Sequence, residues 1–234
     1  MADTATTRKA LLLEILRTRI LTQELLPGAD LDEARLSDEF GLSRTPLREA
    51  LRELSGQGYV DLTRNRSARV AEMSHTTLRG FFLAAPMIYA AVLRLAATHA
   101  RPDQIAYLKD AQTVFRDALG SGNVAAKALA NNRFHAITGD MADNVYLRPS
   151  FHRLLIDHAR ISMTFYDVEV AGEATSAADQ HEAMIAAIEA RDPDRAAALA
   201  EDHWALSSDR IAQFVMPASL RERLGDIAPS VRSL

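Results

Sequence analysis

The sequence predicts a mainly α-helical protein: an N-terminal winged helix-turn-helix over residues 1–73, an all-α helical bundle over 74–216, and a C-terminal tail over 217–234. Three observations predict it. Two short helical patterns, at 32–40 and 43–54, meet at Gly41, and a glycine between two helices makes the tight turn of a helix-turn-helix. A small alternating hairpin comes next. Everything after Thr76 recurs at helical period, broken only at Pro, Gly and Asn clusters.

Residues 7–26 put Leu12, Leu16 and Ile20 on one stripe with Leu11, Ile15, Leu21 and Leu25 beside it, and Pro27-Gly28 ends this helix. Glu14, Arg17 and Arg19 interrupt its apolar run, so it reads as an amphipathic helix and not as a signal sequence. In the helix after Gly41, Ser43 stands at the N-cap and Pro46 in the first turn, where its missing N–H has no intrahelical partner to lose. Leu47, Ala50, Leu51 and Leu54 form the core face. Thr45, Arg48, Glu49 and Arg52 point the other way, with Arg44 at the leading edge. Residues 59–62 alternate apolar and polar, Thr63-Arg64-Asn65-Arg66-Ser67 supplies a polar tip, and 68–71 returns through Val70. Three helices and such a hairpin make a winged helix, whose second helix-turn-helix element suits the major groove of DNA and whose wing tip suits the backbone or minor groove.

The bundle divides into helices at 76–99, 102–119, 123–141, 144–168, 173–191 and 193–216, separated by breaks such as Arg101-Pro102, Gly120-Ser121-Gly122 and Asp192-Pro193. Residues 81–97 are apolar nearly all round, which predicts the central helix, with a kink at Pro86. No stretch approaches the roughly 18–20 uncharged apolar residues that span a bilayer, so a cytoplasmic protein without a membrane partner is expected.

The net charge of −4, from 27 basic and 31 acidic residues, argues against a nucleic-acid partner only if charge is averaged over the chain. Between Ser43 and Val70 six arginines (Arg44, Arg48, Arg52, Arg64, Arg66 and Arg69) face three acids, and phosphate contact needs a basic surface, not a basic protein. There is no cysteine, so disulfides and thiolate metal sites are excluded and any metal must be held by nitrogen and oxygen.

Asn131 and His135 stand four apart on one helix, while His181 and His203 lie on two others. Facing helices of a bundle build metal sites in this way, and three imidazoles with one amide oxygen suit a late divalent ion such as zinc or nickel. A single helical His more often has a bland role. His152 and His158 could line the same cavity or be exposed, whereas His75 and His99 read as linker and surface; Met163, Tyr166 and Trp204 read as core.

Residues 31–70, with Leu42-Ser43-Arg44-Thr45-Pro46-Leu47-Arg48-Glu49-Ala50-Leu51, resemble the DNA-binding domain of GntR-type winged-helix regulators. The remainder, with Asn131-Asn132-Arg133-Phe134-His135, His181-Glu182-Ala183-Met184-Ile185 and His203, resembles the all-helical FCD ligand-binding domain of the FadR branch. The resemblance implies that Arg35, Ser43, Arg44, Thr45 and Arg48 meet operator DNA, with Arg64, Asn65 and Arg66 near the minor groove. It places a divalent metal on Asn131, His135, His181 and His203. This chain departs from the family pattern in three places: Asn131 stands where Asp is common, Ser67 where the wing has Gly, and Ala85 and Tyr89 near where an Arg and a Glu are frequent. Arg160, with Tyr89 and His158, is therefore the expected effector contact, or the effector is more apolar.

The expectation is a transcriptional regulator, most simply a repressor, that binds two-fold double-stranded operator DNA as a homodimer and responds to a small-molecule effector, an organic acid seated at the metal. Two rivals stand beside it. In one the metal alone is the signal. In the other the histidines serve a metalloenzyme, although His181-Glu182-Ala183-Met184-Ile185 lacks the second His of the zinc-protease motif.

Overall fold

The protein is described by a computed structural model covering residues 2–62, 68–167 and 173–215, with side chains described for 6–62, 68–167 and 175–205. The wing tip, with Arg64, Asn65, Arg66 and Ser67, and the tail after residue 215 lie outside the described residues.

The N-terminal part runs α1 (Ala2–Leu21), β1 (Asp30–Leu31), α2 (Glu33–Phe40), α3 (Arg44–Gln57), β2 (Val60–Leu62) and β3 (Ala68–Val70). Leu12, Leu16 and Ile20 of α1 meet Leu36 and Phe40 of α2 and Leu47, Ala50, Leu51 and Leu54 of α3 in one core. Asp32 caps α2 by accepting the amides of Ala34 and Arg35. Gly41 ends it at φ 59°, a left-handed conformation that glycine adopts without the Cβ penalty. The three strands form an antiparallel sheet in the order β1-β3-β2, and Arg69 grips Asp30 across it at 2.6 Å.

Two features differ from the sequence expectation. Strand β1 is two residues long, too short for any periodicity to announce it. Helix α1 stops at Leu21 and not at 26, because Gln23 takes φ 56° and the Leu25 amide turns back onto the Arg19 carbonyl. The apolar pattern continues through Leu25 and Leu26, but the backbone turns five residues before Gly28.

The C-terminal part is α4 (His75–His99), α5 (Pro102–Leu119), α6 (Val124–Met141), α7 (Leu147–Asp167), α8 (Glu173–Glu189) and α9 (Pro193–Val215). Ser74 caps α4 through the Thr77 amide, and Asn123 caps α6 through the Ala126 amide. Helix α4 continues through Pro86 as one element. Contrary to the sequence argument, α4 is long and apolar enough to pass for a membrane span, with a window of mean hydropathy 1.7. Its Phe81, Ala85, Tyr89, Val92, Leu93 and Ala96 are buried in the bundle core, so one face of it is the centre of a helical domain.

The two cores meet along α7. Leu21 of α1 packs on Ile156 and Ala159, with Tyr59 and Leu129 at the edge.

Candidate functional site

Two places combine chemistry with position: the outer face of α3 and the interior of the bundle. On α3 the helix start is exposed. Ser43 occupies the N-cap position but makes no side-chain cap bond, so the hydroxyl and the first amides of α3 face outward with the positive end of the helix dipole. That arrangement attracts a phosphate. Arg44, Thr45 and Arg52 are exposed, as is Arg35 on α2, and neither Arg44 nor Arg52 forms an ion pair among the described residues. Arg48 differs: its Nε donates to Glu33 Oε2 at 3.0 Å, which ties α3 to α2.

Inside the bundle the helices bring the predicted histidines together. His135 from α6, His181 from α8 and His203 from α9 are all buried, and their ligand nitrogens lie within 4.8 Å of one another. Asn131 is one turn before His135 on the same helix and equally buried. His158 from α7 joins the set, its ring centroid 5.3 Å from that of His135. Tyr89 from α4 hydrogen-bonds Nδ1 of His158 at 2.6 Å and sets its ring edge-on to His135 at 5.2 Å.

The polar atoms in this cavity are incompletely satisfied. Both ring nitrogens of His135, Nε2 of His181 and Oδ1 of Asn131 are buried without a hydrogen-bond partner. A buried polar atom left unpaired costs about 1–3 kcal/mol, so four such atoms on neighbouring side chains call for an explanation. Two of the histidines are oriented by glutamines that the sequence reading missed. Gln112 Nε2 donates to the Ala178 carbonyl at 2.8 Å and to Glu182 at 3.2 Å, both acceptors, which leaves Gln112 Oε1 as an acceptor for His181 Nδ1 at 3.1 Å. The proton of His181 is thereby on Nδ1, and the lone pair of Nε2 is free. Gln180 Oε1 sits 2.9 Å from His203 Nδ1 in the same role. A metal-ligating imidazole is held by such a second partner on its other nitrogen. No one-residue motif announces Gln112, because it lies on α5, which supplies no candidate ligand.

Burial keeps these imidazoles neutral. Desolvation, with mutual repulsion, pushes His135 and His181 well below the usual histidine value, and desolvation takes His203 down to about 3 and His158 down to about 4. Neutral imidazole is the form that binds metal.

Arg160, the expected effector contact, is fully buried, and while its Nε has no hydrogen-bond partner both terminal nitrogens are engaged within the protein. Nη1 donates to the Ala71 carbonyl at 2.7 Å, and Nη2 pairs with Asp157, at the boundary between the two parts of the chain. His152 is also outside the cavity, on the surface beside Asp140.

Comparison with known proteins locates both parts. The family described as bacterial regulatory proteins, gntR family, matches residues 9–70, and the FCD domain matches residues 87–206. The Nta operon transcriptional regulator of Aminobacter aminovorans is 32% identical over 84 residues, which are 36% of this chain and 40% of that protein. The probable D-xylose utilization operon transcriptional repressor of Paenarthrobacter nicotinovorans is 27% identical over 75% of this chain and 76% of its own. The transcriptional repressor RspR of Escherichia coli K12 is 28% identical over 55% of this chain and 57% of its own. Among solved structures, E. coli McbR/YncC superposes with TM-score 0.74 at 18% identity over 88% of this chain and 97% of that one. A GntR transcriptional regulator from Rhodococcus sp. RHA1 gives 0.69 at 16% identity over 88% and 98%.

Proposed function

Because the chain belongs to the GntR family of bacterial transcriptional regulators, with an FCD domain behind its winged helix, we propose that its operator affinity is set by an organic acid bound at a divalent metal in the bundle. The family consists of DNA-binding regulators and not enzymes, so the metalloenzyme rival falls away and operator DNA is the macromolecular partner. Relatives named as repressors favour repression as the mode of action, and the cytoplasm is where such a protein meets the chromosome.

The observation that carries the reading is the group of unpartnered buried atoms. Asn131 Oδ1, His135 and His181 Nε2 lack partners, and the ligand nitrogens of His135, His181 and His203 lie within 4.8 Å of one another. The donor set is neutral and composed of nitrogen and oxygen, which fits zinc or nickel. When bound, the ion supplies a positive, Lewis-acidic centre for a carboxylate among imidazoles that are themselves neutral. The residues of the chain do the rest: Gln112 and Gln180 orient imidazoles, Tyr89 and His158 border the space, and the surrounding apolar core excludes water.

On the DNA side Arg35, Ser43, Arg44, Thr45 and Arg48 are the proposed contacts, with Arg64, Asn65 and Arg66 of the wing. A bidentate Arg–guanine contact supplies about 1–3 kcal/mol of discrimination. A homodimer places two such readers about one helical turn apart. The outer face of α4 supports that assembly, since Leu83 and Met87 are exposed at 50% and 67% one turn apart.

Elemental analysis of gently purified protein with the His135→Ala and His181→Ala variants tests the centre. Close to one zinc or nickel per chain, lost in both variants, is the expected result; no metal even after reloading would sink the metal centre and leave the operator-binding role standing.

A further inference from the structure

We propose that Arg160 is a positioning residue through which occupancy of the histidine cavity is transmitted along α7 to the DNA-binding part. The inference rests on the metal centre proposed above and adds the route by which that centre reaches the reader. Three independent observations carry it.

First, one turn of α7 faces both ways. His158 enters the cavity, bonded to Tyr89 and 5.3 Å from the His135 ring. Its neighbours Ile156, Ala159 and Arg160 face the winged helix, with Ile156 and Ala159 packed on Leu21 and Arg160 bonded to Ala71. Consecutive residues of a helix share a rigid backbone, so a shift that reseats His158 also moves Arg160.

Second, Arg160 is a wholly buried charge that spans the boundary. Its guanidinium binds Asp157, itself 4% exposed, and the carbonyl of Ala71, the residue that follows β3. Taking an arginine out of water is unfavourable, and an apolar residue would fill the same space at less cost. The bond to Ala71 is the specific contact that the charge contributes. The amide of Ala71 is in turn bonded to the Tyr59 carbonyl at 2.9 Å, just ahead of β2. The guanidinium therefore holds the base of the wing.

Third, the DNA-binding part reaches back. Gln23 adopts φ 56°, a conformation that costs a non-glycine residue free energy, and from it Nε2 donates to the Arg160 carbonyl. Arg160 is thus held through side chain and backbone by two separate segments of the N-terminal part. Nearby, Arg153 Cδ lies 2.2 Å from where a Cβ on Gly58 would stand, so the Arg153 side chain of α7 lies against the glycine that ends α3.

The test is hydrogen–deuterium exchange at residues 68–74, with and without zinc, on the full chain. Two variants are compared with wild type. Arg160→Met keeps an unbranched apolar stem, removes the guanidinium and leaves Asp157 paired with Arg153 at 3.0 Å. Gln23→Gly accepts the positive φ and leaves the Arg160–Asp157 pair intact, so it keeps the test valid if Arg160→Met misfolds. Zinc is expected to change exchange at Ala71 and its neighbours by about threefold or more in wild type, and by less than about 1.5-fold in either variant, with zinc stoichiometry unchanged in all three. Wild-type response retained in both variants would overturn the role of Arg160 alone. Zinc bound by wild type with no response at 68–74 would overturn transmission along α7. Failure of wild type to bind zinc would instead strike the metal centre itself, and this inference with it.

Discussion

The Tyr89 hydroxyl lies 2.6 Å from Nδ1 of His158, joining α4 to α7 inside the bundle. Both groups are buried, and burial raises the Tyr89 pKa well above its ordinary value, so the hydroxyl keeps its proton. Tyr89→Phe removes only that oxygen and leaves His158 Nδ1 without its partner. The expected outcome is a loss of about 1–2 kcal/mol in urea unfolding of the metal-free protein, with metal content unchanged. Metal lost along with the hydroxyl would show that His158 belongs among the ligands and not beside them.

Gln112 fixes the tautomer of His181 without touching the proposed metal position itself. In Gln112→Leu the apolar side chain fills much of the space but offers no acceptor to Nδ1–H, so Nε2 no longer has its lone pair enforced. Outer partners of this kind typically cost 10–100-fold in metal affinity when removed, and a fall of about that size is expected. Competition with a coloured chelator measures it. An unchanged affinity would mean that Phe134, stacked on His181 at 3.8 Å, suffices to hold the ring.

The helix-turn-helix was legible in the sequence because each of its determinants is local: the Asp32 cap, the Gly41 stop and the four-residue apolar face of α3 all lie within 23 residues. The histidine set was legible because the helices that carry His135, His181 and His203 were predicted within a few residues of their true ends. What escaped is non-local. Gln112 acts on a residue 69 positions away and Arg160 on one 89 positions away. A buried arginine looks the same in sequence whether it faces a ligand or another part of the fold. Which of these it does depends on the helical phase of α7 relative to two neighbours, and that phase is set by Phe151 and Leu155 entering the core.

Acid should destabilise the metal-free protein from a predictable point. The folded pKa values of His135, His158, His181 and His203 all lie below the ordinary 6.5, so the native state keeps them neutral. Above pH 6.5 both states are neutral and these groups give no slope. As the pH falls below 6.5 the unfolded chain binds protons that the native chain does not, and stability drops by up to about 1.4 kcal/mol per pH unit for each imidazole. His158 stops contributing near its folded value of about 4 and His203 near about 3. Urea midpoints of the metal-free protein at pH 8, 7, 6 and 5 are expected to be level at first and then to fall. A level series throughout would mean that the imidazoles are hydrated and can be charged in the fold.

Arg44 and Arg48 stand on the same helix but not in the same state. Arg44 is exposed with no ion pair among the described residues, whereas Arg48 is held at 3.0 Å by Glu33. Substituting Arg44 therefore removes a cation that is free to meet DNA, and Arg44→Ala is expected to weaken specific operator binding by about 1–3 kcal/mol and to flatten its salt dependence. Glu33 acts in the opposite sense, since its carboxylate both neutralises Arg48 and repels phosphate. Glu33→Gln keeps a hydrogen-bond acceptor for Arg48 but drops the charge, so binding to non-specific DNA should strengthen and its dependence on salt should steepen. Fluorescence anisotropy at two salt concentrations, on operator and on random duplex, separates the two effects. If Glu33→Gln leaves non-specific binding unchanged, Arg48 is a structural tie between α2 and α3, and base recognition falls to Arg44 and Arg35.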